Sequence, residues 1–385
     1  MRPVHLQGSA RPLTEVYDVA LLDLDGVVYI GASAVPGAPE ALAAARQAGM
    51  RLAFVTNNAS RPPAAVADHL TTLGIPAGAD EVVTSAQAAA HYLADRLPLH
   101  ARVLVVGTTG LEQALRERGL DPVTDANGEV AAVVQGYSPE LDWRMLAEGA
   151  VAINRGVPWV ATNVDPTVPS PRGPLPGNGS LVAALRHATG VAPVVTGKPD
   201  PTMHRESVQR SGARRPIVVG DRLDTDIEGA NAVGCDSLLV LSGVTSAPEL
   251  LVVAPHRRPT FLAADLGGLL VPHEQPSMIE GGAACGQWEA MRAAAEQGSG
   301  LLLRRRERAD GDAVTEVAAP DADQLDALRA LCTANWDVTP ADTPADDEGG
   351  PPRWTVQPAV EVAADGHDDE SRRAAADVLA RLGMA

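Results

Sequence analysis

A chain of 385 residues exceeds one ordinary hydrophobic core and implies two or three domains, and 45% hydrophobic residues leave ample material to bury. The formal net charge is −18, concentrated in residues 276–385 with 21 acids against 10 arginines; no basic face runs along the chain, which excludes nucleic acid as an expected partner. The N-terminal residues lack an apolar signal core, no apolar run reaches the roughly 18 residues of a membrane span, and Cys235, Cys285 and Cys332 are spaced as reduced, buried thiols, so a cytoplasmic protein without membrane contact is expected.

The apolar run 19–22 continues into Asp23, Leu24, Asp25 and Gly26. It reads as a buried strand of a parallel sheet with two acids at its carboxyl end. On an extended backbone those carboxylates, two residues apart, project to one side, where open α/β sheets bind ligands. Two adjacent like charges repel unless a cation lies between them, which a mere strand end with a turn former and a helix cap leaves unexplained. Residues 39–48 read as a helix with proline near its start and Gly49 as its stop. Residues 51–58 read as a second strand ending in Thr56 and Asn57, whose hydroxyl and backbone donors suit phosphate oxygens.

From about Arg102 a second alternating set begins, with strands in RVLVVG, VAAVVQGY and PWVATN, and reads as an α/β unit inserted into the first. In the loop after the last of these, Asn163 and Asp165 either reach toward a leaving group or shape a turn, and both readings stay open. PVVTGKPD, residues 193–200, is expected to resume the first sheet. Its Lys198 is the single lysine beside 30 arginines. A compact ammonium neutralises a phosphate or carboxylate where a planar guanidinium does not fit.

PIVVGDRLDTDIEGA follows as a strand ending in Asp221, with Asp226 five residues on. With Asp23 these acids would make the hard oxygen shell that magnesium prefers, whereas Asp224 is expected only to cap the next helix. In the acidic extension, residues 299–307 read as a strand whose arginines Arg304, Arg305, Arg306 and Arg308 belong to a solvated edge. A helix is expected over 321–336, a polar proline-rich link over 339–352 and a short closing helix, with Trp288, Trp336 and Trp354 as core.

DLDGVVY, FVTNN, GKPD and GDRLDTDIEGA, in this order and spacing, resemble the four motifs of the haloacid dehalogenase superfamily of phosphohydrolases. The insertion between the second and third is similar to the C2-type cap of its NagD-like branch, through GYSPELDW and ATNVDPTVPSPRGPLPGNGSLVAAL. The resemblance covers residues 16–270. It implies an α/β fold: a Rossmann-like doubly wound parallel sheet core (12–90 and 191–272), an inserted α/β C2-type cap domain (91–190) and a C-terminal α+β extension (276–385). The extension resembles the degenerate acetyltransferase-like tail of actinobacterial glycerol-3-phosphate phosphatases of this branch. It has no glycine-rich pyrophosphate loop, so acetyl transfer is not expected of it.

By the same resemblance, Asp23 is the nucleophile that becomes an aspartyl phosphate, and Asp25 the general acid and base. Mg²⁺ is held by the Asp23 carboxylate, the Asp25 backbone carbonyl and Asp221, with Asp226 as a further ligand. Thr56, Asn57 and Lys198 bind the transferring phosphoryl oxygens, and Asn163 and Asp165 are the candidate substrate contacts of the cap. The implied function is a Mg²⁺-dependent phosphomonoesterase of a small phosphorylated metabolite. Glycerol 3-phosphate comes first, with 2-phosphoglycolate, a nucleotide or pyridoxal phosphate as alternatives. A non-catalytic regulatory protein on the same fold is the rival that the intact acids oppose, and a homo-oligomer stays open.

Overall fold

In the computed structural model, described over residues 6–168, 172–173, 175–292, 300–305, 320–336, 361–365 and 369–384, the apolar runs form strands in two parallel sheets. In chain order they are β1 (Val19–Leu22), β2 (Arg51–Thr56), β3 (Val82–Thr84), β4 (Arg102–Val106), β5 (Asp121–Val123), β6 (Ala132–Gln135), β7 (Trp159–Ala161), β8 (Val194–Val195), β9 (Pro216–Gly220), β10 (Asp236–Val240) and β11 (Phe261–Ala263). The core sheet has the order β11-β10-β9-β1-β2-β3, and the inserted sheet the order β8-β7-β6-β4-β5.

β1 is buried along its whole length because the core sheet is covered on both faces. Ala20 and Leu22 pack with Leu42 and Leu70 of the helices Ala38–Gln47 and Pro63–Thr72. Val19 and Leu21 pack with Met203 of the helix Pro201–Ser211 and with Ala230. β1 and β9 are parallel neighbours, and the strands that follow them, β2 and β10, lie on opposite sides. Such a reversal opens a crevice beyond the carboxyl ends, and the residues that directly follow the two strands are Asp23 and Asp221.

Val194–Val195 corrects the expectation that 193–200 resumes the core sheet. β8 pairs with Val160 and Ala161 as the edge strand of the inserted sheet. A valine pair satisfies either sheet, and β9 is already flanked by β1 and β10, so long-range pairing decides. The expected start of the insertion after residue 90 falls inside the helix Ser85–Ala94, which faces both units. Its Ala88 packs with β1, and its Ala89 and Leu93 pack with Val103 and Val105 of β4.

The extension forms β12 (Ser277–Ile279), β13 (Gly282–Cys285), β14 (Trp288–Arg292), β15 (Gly300–Arg305) and β16 (Glu361–Ala364), paired in sequence, with the helices Pro320–Trp336 and Asp369–Arg381. β15 is not an edge, because β16 pairs outside it. Arg304 accordingly bonds Glu289 at 2.9 Å and Arg305 donates to Gln287 at 2.8 Å, across the ladder rather than into solvent. Trp288 and Trp336 are buried, while Arg306, Arg308, Trp354 and the 339–352 link lie outside the described residues. The extension shares one apolar cluster with the core, joining Trp288, Leu328 and Leu331 to Leu223, Ile227, Leu250 and Leu262. All three cysteines are buried, and among the described residues no helix is long and apolar enough to cross a membrane.

Candidate active site

β1 ends at Leu22, and the chain then turns instead of running on. The Leu24 carbonyl accepts from the Val28 and Tyr29 N–H groups at 2.9 and 3.1 Å, and Gly26 adopts φ +86°, the left-handed region that favours glycine. The turn thus begins directly after Asp25, which bridges to Tyr29. The acids whose oxygens converge are Asp23, Asp221 and Asp226, all within 4.8 Å of one another and the one such trio among the described residues. The Asp25 carboxylate lies outside it. Burial raises the Asp25 pKa, against the pull of Lys198, Arg61 and His69.

Lys198 closes this cluster. Its Nζ donates to Asp23 Oδ1 at 2.5 Å, to Asp226 Oδ1 at 2.6 Å and to the Val55 carbonyl at 3.1 Å, with only 3% of the side chain exposed. Burial works against its charge, but Asp226 and Asp23 outweigh it and hold the ammonium above its ordinary range. For Asp23, burial dominates and raises the carboxyl well above the usual range, with Lys198 pulling the other way. Asp221 is pushed up to about 7 by burial and by Asp226 beside it.

Asp226 stands in a single π-helical turn, Leu223–Ile227, and its Oδ2 accepts the Arg222 N–H at 3.2 Å. Asp221 Oδ2 accepts the Val244 N–H at 2.7 Å, while its buried Oδ1 has no partner among the described residues. Gly26 and Gly243 leave the room this carboxylate fills, since a Cβ on either would lie 2.4 or 1.9 Å from Oδ2. An orphaned buried oxygen, beside two more carboxylates and no nitrogen or sulfur ligand in the trio, fits a hard divalent cation such as Mg²⁺. Asp224 is not a helix cap: its carboxylate takes the Arg222 guanidinium at 3.1 and 2.9 Å.

Thr56 and Asn57 are buried at the end of β2, where Thr56 Oγ1 accepts the Asn58 N–H at 3.1 Å. The Asn57 carboxamide is engaged at both ends. Its Oδ1 accepts the Lys198 N–H at 2.8 Å, and its Nδ2 donates to the Lys198 carbonyl and to Asp165 Oδ2, each at 3.1 Å. Asn163 Nδ2 donates to the Asn57 carbonyl at 2.7 Å, and Asn163 Oδ1 accepts the Asp165 N–H at 3.2 Å. Asn163 thus shapes its loop and grips the core strand at once. The structure brings Asp165 to the same place, where burial raises its pKa against the opposing pull of Arg222.

A cleft of about 570 Å³ opens beside these residues between core and insertion, lined by Asn58, Ser60 and Arg61 on one side and Thr108, Tyr137 and Met145 on the other. Arg61 passed unnoticed in the sequence as one of 30 arginines, and only its position after the FVTNN stretch could have marked it.

A family model described as haloacid dehalogenase-like hydrolase matches residues 20–121, and a HAD-hydrolase-like model matches 195–269. Over 339 residues the chain is 44% identical to the D-glycerol 3-phosphate phosphatase of Mycobacterium tuberculosis, covering 86% of this chain and 89% of that protein. This chain belongs to the haloacid dehalogenase-like hydrolases. The crystal structure of the M. tuberculosis glycerol phosphate phosphatase in complex with magnesium superposes on this hydrolase with a TM-score of 0.79 and 39% identity, over 97% of this chain and 100% of the other. The p-nitrophenyl phosphatase of Archaeoglobus fulgidus matches with a TM-score of 0.61 and 30% identity, over 66% of this chain and 98% of that one. That shorter match is the length expected of a relative without the extension.

Proposed function

We propose that this hydrolase is a Mg²⁺-dependent phosphomonoesterase of the cytoplasm whose substrate is glycerol 3-phosphate. The carrying observation is the buried Asp23–Lys198–Asp226 cluster with the orphaned Asp221 oxygen beside it, in a chain similar to a glycerol 3-phosphate phosphatase over 86% of its length. Asp23 attacks phosphorus through a carboxylate oxygen, and the P–O bond to the alkoxide breaks. Asp25, kept protonated more readily by its burial, gives the alkoxide its proton. It then takes a proton from the water that attacks the aspartyl phosphate and frees inorganic phosphate.

Thr56, the main chain of Asn57 and Lys198 hold the phosphoryl oxygens, which is electrostatic positioning. Asp23, Asp221, Asp226 and the Asp25 carbonyl would hold Mg²⁺, which supplies further positive charge for those oxygens. The leaving group lies under the 163–165 loop, beside the cleft that Arg61 and Tyr137 line, a space suited to a small metabolite.

The test is steady-state kinetics with Mg²⁺ on glycerol 3-phosphate, 2-phosphoglycolate, a nucleoside monophosphate and pyridoxal phosphate. Glycerol 3-phosphate is expected to lead in kcat/KM by about tenfold or more, a margin that a few leaving-group contacts supply. Chelation should abolish turnover and Mg²⁺ restore it. A different leading ester overturns the substrate, and turnover indifferent to chelator overturns the metal.

A further inference from the structure

Three segments meet behind Lys198: the end of β2 at Asn57, the end of β7 at Thr162, and the loop Gly197–Lys198 that leaves β8. The approach is so close that a Cβ on Gly197 would lie 2.1 Å from the Thr162 carbonyl oxygen and 2.7 Å from Asn57 Oδ1, and only glycine permits it. A carboxamide has one acceptor oxygen and two N–H donors. In Asn57 the oxygen takes the Lys198 N–H, and Nδ2 serves both the Lys198 carbonyl and Asp165. Nothing in that inventory is left for a phosphoryl oxygen.

The insertion holds Asn57 by its main chain as well. The Asn57 carbonyl accepts from Asn163 Nδ2 at 2.7 Å and from Ser85 Oγ at 2.5 Å, and Asn178 Nδ2 fixes the Asn163 carbonyl at 2.7 Å. Gly177 and Gly179 let the following helix start press on this loop, since a Cβ on them would lie 2.4 Å from the Asp165 carbonyl oxygen and 2.1 Å from that of Val164. An ionised Asp165 accepts hydrogen bonds and donates none, so it dictates which end of the amide faces it and which end faces the Lys198 N–H.

We infer that Asn57 is a positioning residue: through its carboxamide, the cap loop, by way of Asp165, sets the Lys198 backbone and hence the place of the ammonium between Asp23 and Asp226. The inference rests on the reading of Lys198 as the cation that serves the phosphoryl group. Binding both the N–H and the C=O of one residue fixes the peptide planes on either side of it. The ammonium then starts from a fixed Cα.

The single lysine makes the test direct, because protein labelled with ¹⁵N-lysine shows one lysine amide resonance, the N–H that Asn57 accepts. Asp165→Ala should shift that resonance and speed its hydrogen exchange, whereas Asp165→Asn, which keeps an acceptor for Nδ2, should do so far less. Kinetics with Mg²⁺ on glycerol 3-phosphate and p-nitrophenyl phosphate supply the second readout. Asp165→Ala should lower kcat roughly tenfold on both esters with KM little changed, as expected for a misplaced catalytic group, and Asp165→Asn should recover most of it.

A loss confined to glycerol 3-phosphate would make Asp165 a leaving-group contact and overturn the inference. So would equal losses in the two variants, or an unmoved Lys198 resonance. Wild-type protein inactive on both esters removes the phosphatase reading, while the resonance still decides the coupling. Should Asp165→Ala fail to melt cooperatively, Asn57→Asp, which turns the donor end of the amide into an acceptor facing Asp165, carries the same arms.

Discussion

The active site and the seam between core and extension are both buried clusters of charge, and they are finished differently. At the seam, Arg329 donates to Asp326 at 2.7 Å, to the Leu262 carbonyl at 2.6 Å and to His273 Nδ1 at 3.3 Å, and His273 Nε2 donates to the Gly268 carbonyl at 2.7 Å. Donors and acceptors match, burial lowers the His273 pKa, and the cluster ties two chain regions together. In the active site, three carboxylates face one ammonium, and a buried oxygen of Asp221 is left over. A satisfied network stabilises, whereas an unsatisfied one is retained for something that is not folding.

That contrast can be broken by replacement on each side. The largest effect is expected from Asp23→Asn, which removes the nucleophile and should lower turnover by about 10³-fold or more. Its urea midpoint should hold or rise, because a neutral amide escapes the burial cost that dominates at Asp23 and the repulsion from Asp226 and Asp221, against the lost pull of Lys198. A midpoint lowered by Asp23→Asn would place the two clusters in one class.

Arg329→Ala should do the reverse. It strands Asp326, His273 and the Leu262 carbonyl, and removing one partner of a buried pair costs about 3 kcal/mol of unfolding free energy. Urea denaturation measures that loss, and kcat per folded molecule should stay near wild type. A matching loss of kcat would mean that the shared apolar cluster, which includes Leu223 and Ile227 on either side of the acidic turn, transmits the damage to Asp226.

The smallest effect sharpens the comparison with a third buried group. His204, on the helix after Lys198, is 1% exposed, and neither ring nitrogen has a partner among the described residues. Burial lowers its pKa to about 3 from 6.5, with Lys198 adding to the shift. The unfolded chain gains a proton below about pH 6.5 while the native imidazole stays neutral, so stability is intact above that pH. It then falls by about 1.4 kcal/mol per unit as pH drops toward 3. Urea midpoints at pH 7 and 5.5 should show a slope in wild type that His204→Met flattens. Equal slopes would assign the acid sensitivity to other groups.

The sequence by itself determined the positions of Asp23, Thr56, Lys198 and Asp221, because each follows an apolar run or a glycine turn that local pattern alone makes a strand end. It also marked Lys198 by composition, as the one lysine in a chain otherwise served by arginine. Only the tertiary structure decided the rest. β8 joined the inserted sheet because pairing partners, and not the Val-Val pattern, select a sheet. The Asp25 carboxylate stands outside the Asp23–Asp221–Asp226 trio, which strand spacing alone does not show. The Asn57 side chain, for which the sequence named no partner, is taken up by Lys198 and Asp165, 141 and 108 residues away. Strand ends are encoded by neighbours in sequence, but the occupation of a hydrogen-bonding group is set by whatever the folded chain brings against it.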